Sequence, residues 1–239
     1  MPPVAKVLLC VVACVVLAVS INWIYQVARK PSELFFPVSG ALYKTPSETW
    51  AAYGPVFKAH ATAVMTPDLL AAIAQVEGSG NPLVRTYWRW SWSTHPFELY
   101  RPASSAVGMY QITDGTFDAA RRYCIHDHVV VEDGPWHNLR SCWFNALYAR
   151  VVPSHAVELT SAYLDRSIAS IASRRGIPAG SVQQRQNLAA VIHLCGAGAG
   201  ASYARRGYRV LPGQRCGDHD VRSYVARINA TRKLFRAAG

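Results

Sequence analysis

The spacing of apolar residues along the chain predicts a protein built mostly from helices. Leu164, Ile168 and Ile171, for example, recur at the interval of one helical face. Residues 81–104 are irregular and rich in aromatic side chains, and residues 124–141 have the composition of a polar loop, so little strand is expected. The predicted helices cover residues 47–64, with Ser47 as N-cap and a break at Gly54 and Pro55, and residues 67–77, 113–123, 156–174, 184–195 and 219–236.

The N-terminus carries a long apolar run. Residues 7–19 read VLLCVVACVVLAV and match the apolar core of a secretory signal, with a small-residue cleavage site at Ala18 to Ser20. Apolar character resumes beyond this point, and Trp23 and Tyr25 are placed like the aromatic residues of a membrane interface. We therefore favour an uncleaved anchor over a cleaved signal. Either alternative exports the rest of the chain.

These patterns divide the chain into three parts. Residues 1–30 are the signal peptide or transmembrane anchor, and residues 31–46 form a linker with several prolines. Residues 47–239 form one domain, and its length of roughly 200 residues is enough for a single hydrophobic core.

Composition and charge narrow the class of partner. The chain is 51% hydrophobic and 16% charged, which is typical of a globular protein. Its net charge of +11 favours an anionic partner, such as nucleic acid, anionic lipid or an acidic cell-wall polymer. No nucleic-acid motif accompanies the scattered arginines, so we expect no nucleic-acid partner. The sequence HDH at 126–128 matches no known ligand spacing, and we expect neither metal nor cofactor.

The cysteines agree with export to an oxidising compartment. Cys124, Cys142, Cys195 and Cys216 lie outside the N-terminal segment and include no C-x-x-C pair, which argues against a zinc or redox motif. Three pairings are formally possible. The shorter loops favour Cys124–Cys142 and Cys195–Cys216.

Glu77 is the strongest candidate for chemistry. Leu70 and Ile73 precede it by seven and four residues, so the three side chains share one helical face. Glycines and Pro82 then end the helix. A carboxyl against an apolar wall disfavours the anion and suits a general acid. The alternative is a helix-terminal Glu that extends into water.

Two segments resemble motifs of the soluble lytic transglycosylases and the related goose-type lysozymes. DLLAAIAQVEGSGNP (68–82) is similar to their E-S-x-x-N-P segment. AVGMYQIT (106–113) is similar to A-x-G-L-M-Q-I, with Met109 for Leu and Tyr110 for Met. NLAAVIHLCGAG (187–198) looks like a divergent A-A-Y-N-A-G segment, and the resemblance extends over roughly residues 47–236.

The resemblance implies a mostly α, lysozyme-like fold and cleavage of the β-1,4 bond between N-acetylmuramic acid and N-acetylglucosamine. In this family one Glu acts as acid and then as base, which yields a 1,6-anhydromuramoyl product. Glu77 matches this residue. The residues expected to line the substrate groove are Asn81, Trp90, Gly108, Met109, Tyr110, Gln111, His193 and Tyr203.

The chain also departs from the family pattern. Gly78 stands where the family usually has Ser, and a longer segment separates Glu77 from Gln111. In that segment YWRWSW (87–92) alternates at the strand period, so its tryptophans share a side if it is extended. They form either a glycan-binding flap or core packing. Val191 or Ile192 replaces the family Tyr, which makes His193 and Tyr203 the candidates for its role.

We therefore expect a lytic transglycosylase that binds peptidoglycan strands. We place it at the periplasmic face of the bacterial inner membrane if anchored, or in the periplasm if cleaved. A hydrolytic muramidase is the first alternative, and Glu98, Glu158 and Asp165 are its candidates for a second carboxylate. The second is a non-catalytic glycan-binding component of an envelope-spanning secretion or conjugation machine, and proteins of such a machine are also expected partners.

Overall fold

Helices make up most of the chain, which confirms the predicted mostly α class. The computed structural model describes residues 2–92, 95–138 and 140–238. The α-helices are α1 (Pro3–Arg29), α2 (Phe36–Ser39), α3 (Pro46–Ala59), α4 (Pro67–Gly78), α5 (Asp114–Ala120), α6 (Pro153–Ala172), α7 (Val182–Arg205) and α8 (Val221–Ala238). Short 3-10 helices lie at Pro31–Phe35, Gly40–Leu42, Pro96–Glu98 and Trp143–Leu147.

Three short antiparallel hairpins accompany the helices. They pair β1 (Trp88–Trp90) with β2 (Tyr100–Pro102), β3 (Tyr123–His126) with β4 (Val129–Glu132), and β5 (Arg215–Cys216) with β6 (His219–Asp220). The second hairpin lies almost wholly in residues 124–141, for which the sequence predicts a polar loop. Its first residue, Tyr123, belongs to the predicted helix 113–123, which instead ends at Ala120. Cys124 is the buried residue of β3, so this hairpin lacks the long buried alternation that predicts a strand.

Helix α4 lies at the centre of the core. Every residue from Leu69 to Ala74 is fully buried, so this helix is enclosed on all sides. Helices α3 and α8 pack against it, and α6 and α7 pack against each other beside it. The alanines at 71, 72 and 74 permit close approach, while Leu70 and Ile73 fill the space between helices.

Helix α3 differs from its prediction. Its N-cap is Thr45, not Ser47, because Thr45 and Glu48 form a reciprocal capping box. The helix also continues through Pro55 instead of breaking there. Phe57, two residues beyond the proline, is fully buried, and its packing holds the second half of the helix in place.

An ionic cluster fastens α8 to the start of α4. Asp68 accepts hydrogen bonds from Arg232 at 3.0 Å and from Arg236 at 2.8 Å. Arg232 is buried and also donates to Gln186 of α7 at 2.8 Å. The start of α4 is thereby fastened to both α7 and α8.

Both predicted disulfides are confirmed. Cys124 pairs with Cys142, and Cys195 pairs with Cys216. The first closes the loop after the β3–β4 hairpin, and the second joins α7 to β5. Together with the apolar N-terminal helix, they indicate an oxidising, extracytoplasmic compartment.

Residues 31–46, for which the sequence predicts a linker, form short helical turns up to Leu42. Glu33 fastens them to the domain. Its carboxylate is fully buried, forms ion pairs with Lys30 and Arg85, each at 3.3 Å, and accepts the indole N–H of Trp88 at 2.9 Å.

Helix α1 is long and apolar enough to cross a membrane. It projects exposed Val, Leu and Ile side chains along its length, which is compatible with an anchor or a signal sequence.

Candidate active site

Glu77 lies in the last turn of α4, where close backbone packing fixes its position. Ser79 follows in the left-handed conformation at φ 47° and ends the helix. A Cβ on Gly78 would lie 2.8 Å from the Met109 Cα and 2.9 Å from its carbonyl oxygen. The helix end can therefore rest on the segment around Met109 because residue 78 has no side chain. This contact brings Glu77 beside the loop that carries Gln111.

Two side chains from other helices approach the same oxygen of Glu77. The hydroxyl of Tyr224, from α8, donates a short hydrogen bond to Oε1. The Nε2 atom of His193, from α7, lies 3.8 Å from Oε1. Within the described residues, Oε2 makes no hydrogen bond and remains available to the cleft.

Burial keeps both neighbours of Glu77 electrically neutral. Desolvation lowers the pKa of His193, and the nearby Glu77 charge and a hydrogen bond to the Tyr110 backbone oppose that shift only partly. Desolvation also raises the pKa of Tyr224 well above 10, and the Glu77 charge adds to this effect. Tyr224 therefore remains a hydrogen-bond donor.

Glu77 opens onto a cleft of about 640 Å³. Its side chain is 18% exposed and that of His193 is 12% exposed, so both are accessible but largely enclosed. Among the described residues, Glu77 is the sole carboxylate that lines this cleft. The lining consists of Glu77, Ser104, Ala106, Gln111, Thr113, His193, Leu194, Cys195, Cys216, Gly217 and His219.

The Cys195–Cys216 disulfide forms part of the cleft wall. It ties the β5–β6 hairpin to α7 just before Gly196, where φ of 81° interrupts the helical geometry. Gly217 and His219 of the hairpin consequently face the same space as Glu77.

Gln111 and Gly108 form the opposite side of the site. Gln111 adopts a positive φ of 47°, and its amide donates to the Gly108 carbonyl at 2.9 Å and to the Val84 carbonyl at 3.3 Å. Gly108, at φ 77°, packs so closely that a Cβ would lie 2.4 Å from the Arg150 carbonyl oxygen. Gln111 thus lines the cleft, whereas Gly108 shapes the loop beneath it.

Three other predicted substrate-binding residues are fully buried. Met109 and Tyr110 belong to the core, and the Tyr110 hydroxyl donates to the Leu70 carbonyl at 3.1 Å. Asn81 donates to the Ser39 carbonyl at 2.6 Å and accepts from the Leu83 amide at 2.8 Å. These three side chains are too buried to contact a substrate directly. Met109 and Tyr110 pack in the core, and Asn81 stabilises the turn after α4.

Tyr203 and Trp90 also lie outside the cleft. Tyr203 is buried against the edge of the Tyr208 ring, with 5.8 Å between ring centroids. Trp90 is 78% exposed on β1 and contacts the ring of Tyr100. Of the two candidates for the role of the missing family tyrosine, the structure brings His193, and not Tyr203, to Glu77.

The other candidate carboxylates are engaged elsewhere. Glu158 is buried and accepts hydrogen bonds from the Tyr148 hydroxyl at 2.7 Å and from the Ile125 amide at 2.9 Å. Glu98 pairs with Arg29 and Arg101, and Asp165 accepts a hydrogen bond from Thr62. None of the three lines the cleft.

Tyr224 is a site residue that the sequence analysis does not single out, although its hydroxyl contacts Glu77. A signal was available, because a buried tyrosine usually finds a hydrogen-bond partner for its hydroxyl. The partner lies 147 positions away in the sequence, so the pairing itself needs the fold.

Comparison with protein-family models, with curated proteins and with solved structures finds no match to this chain.

Proposed function

We propose that the protein is a peptidoglycan lytic transglycosylase that cleaves the β-1,4 bond between N-acetylmuramic acid and N-acetylglucosamine. The observation that carries this proposal is a single carboxylate, Glu77, in an open cleft, with Oε1 held by Tyr224 and Oε2 available. Hydrolytic glycosidases generally use two carboxyl groups that flank the scissile bond. A site with one fits a mechanism in which the same group acts twice.

In the first step, the Glu77 carboxyl donates its proton to the glycosidic oxygen as the bond to the muramoyl C1 breaks. In the second step, the resulting carboxylate accepts the proton of the muramoyl C6 hydroxyl while that oxygen bonds to C1. The proton count balances and no water enters, so the product is a 1,6-anhydromuramoyl end and Glu77 returns to its acid form. Tyr224 fixes the orientation of the carboxyl through both steps.

His193 supports this assignment because its ring is uncharged. Because burial lowers its pKa, the ring places no fixed positive charge beside Glu77. A permanent cation at 3.8 Å would stabilise the carboxylate and weaken it as an acid. Gln111 lies in the same cleft and can orient a sugar through its amide oxygen.

The apolar N-terminal helix and the disulfides support an extracytoplasmic location for the proposed activity. We propose that the chain is anchored at the periplasmic face of the bacterial inner membrane, where peptidoglycan is the anionic polymer that its net charge of +11 favours. We also propose proteins of an envelope-spanning machine as partners, because they would share this location.

Mass spectrometry of sacculi digested by the full chain tests the reaction. We expect anhydro muropeptides, and products one water heavier with reducing ends would identify a hydrolytic muramidase instead. In the same assay Glu77→Gln is expected to reduce turnover by at least about 10³-fold, the order of loss for removing a general acid. Substantial residual activity would show that another group is the acid.

Glu158→Gln is the matched control, since it alters a carboxylate outside the cleft. It is expected to affect stability more than the nature of the products. An absence of all turnover by the correctly folded wild type would instead favour a non-catalytic glycan-binding protein.

A further inference from the structure

The hairpin formed by β1 and β2 exposes large aromatic side chains. We refer to residues 87–92 and 99–102 as the aromatic hairpin. Trp90 is 78% exposed, Trp92 is fully exposed, and Tyr87 is 69% exposed. More than half of the exposed large apolar side chains beyond α1, within the described part of the chain, lie here or in residues 31–43. Such a concentration marks an interaction surface.

The strand register sorts the hairpin into an aromatic face and a basic face. Trp88 and Trp90 lie opposite Pro102 and Tyr100, so these side chains share one face. The Tyr100 ring centroid is 5.3 Å from that of Trp88 and 4.9 Å from that of Trp90. On the other face Arg89 lies directly opposite Arg101.

Neither interpretation suggested by the sequence accounts for these rings. Trp90 and Trp92 are too exposed to be core residues. None of the tryptophans of the hairpin lines the cleft that contains Glu77, as a glycan flap would require. The hairpin lies instead beside the C-terminal end of α1.

Specific contacts join the hairpin segment to α1. Asn22 donates to the Tyr100 carbonyl at 2.9 Å, and Gln26 donates to the Phe97 carbonyl at 2.6 Å. Arg29 pairs with Glu98 at 2.6 Å. These contacts lie on three successive turns of the helix, so they fix the position of the hairpin along the α1 axis.

When α1 spans a bilayer, this position lies at the membrane–water interface. At 1.5 Å per residue, the uncharged, mostly apolar segment from Val7 to Ile24 spans about 27 Å, close to the roughly 30 Å hydrocarbon core of a membrane. Asn22 in the last turn of this segment and Gln26 in the turn after it hold the hairpin. Trp and Tyr are enriched in this interfacial layer.

A groove of about 710 Å³ separates the hairpin from α1. Apolar residues of the span and aromatic residues of the hairpin line it together, and Arg85, whose guanidinium pairs with Glu33, belongs to the same lining. Its lining includes Val19, Trp23, Tyr43, Tyr87, Trp88 and Tyr100. An apolar groove that is continuous with the span and bordered by a guanidinium suits a molecule with an acyl chain and a phosphate.

We propose that the aromatic hairpin lies in the interfacial layer of the leaflet at the C-terminal end of α1, and that the groove holds a phospholipid of that leaflet. Trp90 and Trp92 enter the headgroup region, while Arg29 and Arg89 lie at the level of the lipid phosphates. The proposal rests on retention of α1 in the mature protein. It does not depend on the chemistry of Glu77.

Lipid-borne quenchers test this placement in the full chain. The protein is reconstituted in phosphatidylcholine and phosphatidylglycerol vesicles with or without brominated acyl chains, and tryptophan fluorescence is recorded. The double variant Trp90→Phe/Trp92→Phe is compared with Trp136→Phe, which removes a tryptophan of equal exposure, 77%, from the loop after β4. We expect the bromine-quenched fraction to fall in the double variant but not in Trp136→Phe.

Three results would overturn the proposal. The first is loss of an acrylamide-quenched, bromine-insensitive component in the double variant. The second is a mature N-terminus beyond Ser20. The third is protection of Trp90 and Trp92 from acrylamide by peptidoglycan fragments in detergent, which would identify a glycan flap. Glu77→Gln is expected to retain the lipid quenching, and the double variant to digest sacculi within about twofold of wild type in detergent, so the two proposals fail separately.

Discussion

Glu33 and Glu77 are two carboxylates held by the same fold in opposite ways. Glu33 is fully buried, and two cations, Lys30 and Arg85, lie 3.3 Å from it. Glu77 is 18% exposed, and its neighbours are the Tyr224 hydroxyl and an imidazole that burial keeps neutral. Among the described residues, no Lys or Arg forms an ion pair with Glu77.

The contrast separates a structural carboxylate from one suited to chemistry. Lys30 and Arg85 hold the Glu33 carboxylate in a buried ion-pair cluster, which gives it a structural role. The Glu77 carboxyl is held in place by an uncharged donor, as the proposed acid–base role requires. The same residue type therefore serves attachment at one site and, under the proposed function, catalysis at the other.

The largest stability effect is predicted for Glu33→Gln. The change leaves the buried ammonium of Lys30 without its anion, and removing one partner of a buried ion pair costs about 3–5 kcal/mol. Urea unfolding of the detergent-solubilised full chain measures this loss. Glu77→Gln is the matched control and should change stability by less than about 1 kcal/mol, because it removes no buried ion pair. Equal losses would erase the proposed distinction.

Gly78→Ala is predicted to disturb the cleft without altering any reactive group. The new methyl would meet the Met109 backbone at 2.8 Å, and such overpacking costs about 1–3 kcal/mol. Displacement of the last turn of α4 should also reduce sacculus digestion. Gly115→Ala is the control: its Cβ meets nothing within 4 Å in α5, and the change should be neutral or stabilising. Unchanged melting temperature and activity in Gly78→Ala would contradict the packing described here.

Tyr224→Phe tests the uncharged donor directly. The variant removes one hydrogen bond to a carboxyl group, worth about 1.5–3 kcal/mol, and keeps the ring in the core. We expect turnover to fall about 10- to 100-fold with a small change in stability. Full activity would mean that Tyr224 does not position Glu77.

The smallest effect is predicted for pH. Because burial lowers the pKa of His193 in the folded state, the unfolded chain binds more protons below its ordinary pKa of about 6.5. Stability should therefore decrease as the pH falls below 6.5, by about 1 kcal/mol at most per buried histidine over the first pH unit. His60 and His155 contribute in the same direction. His193→Gln should flatten part of the decline, and parallel curves for variant and wild type would contradict this origin.

The features that follow from local periodicity could be predicted from the sequence. The helix ending at Glu77 was predicted because apolar spacing, Thr66, Pro67 and the following glycines act within a few residues of one another. The alternation in residues 87–92 correctly placed Trp88 and Trp90 on one side of a strand. The disulfides were correctly paired because each closes a short loop.

The features that depend on distant packing could not be predicted in this way. Tyr224 reaches Glu77 only through the packing of α8 on α4, which Asp68 and Arg232 secure from opposite ends of the domain sequence. Met109 and Tyr110 share a motif with Gln111, yet the chain around Gly108 directs their side chains into the core. A motif lists residues that are adjacent in sequence and does not specify which of them face a ligand.

The folded segment between α1 and the domain limits how far the cleft can extend from the membrane. In a flexible chain of about a dozen residues, the end-to-end distance would vary over roughly 20 Å. Residues 31–42 are instead wound into short helical turns, and the buried Glu33 binds them to the domain and to Lys30. On a retained anchor, the cleft therefore stands at one height above the bilayer. Under the proposed function, glycan strands at that height would be substrates, and strands elsewhere in the wall would lie out of reach.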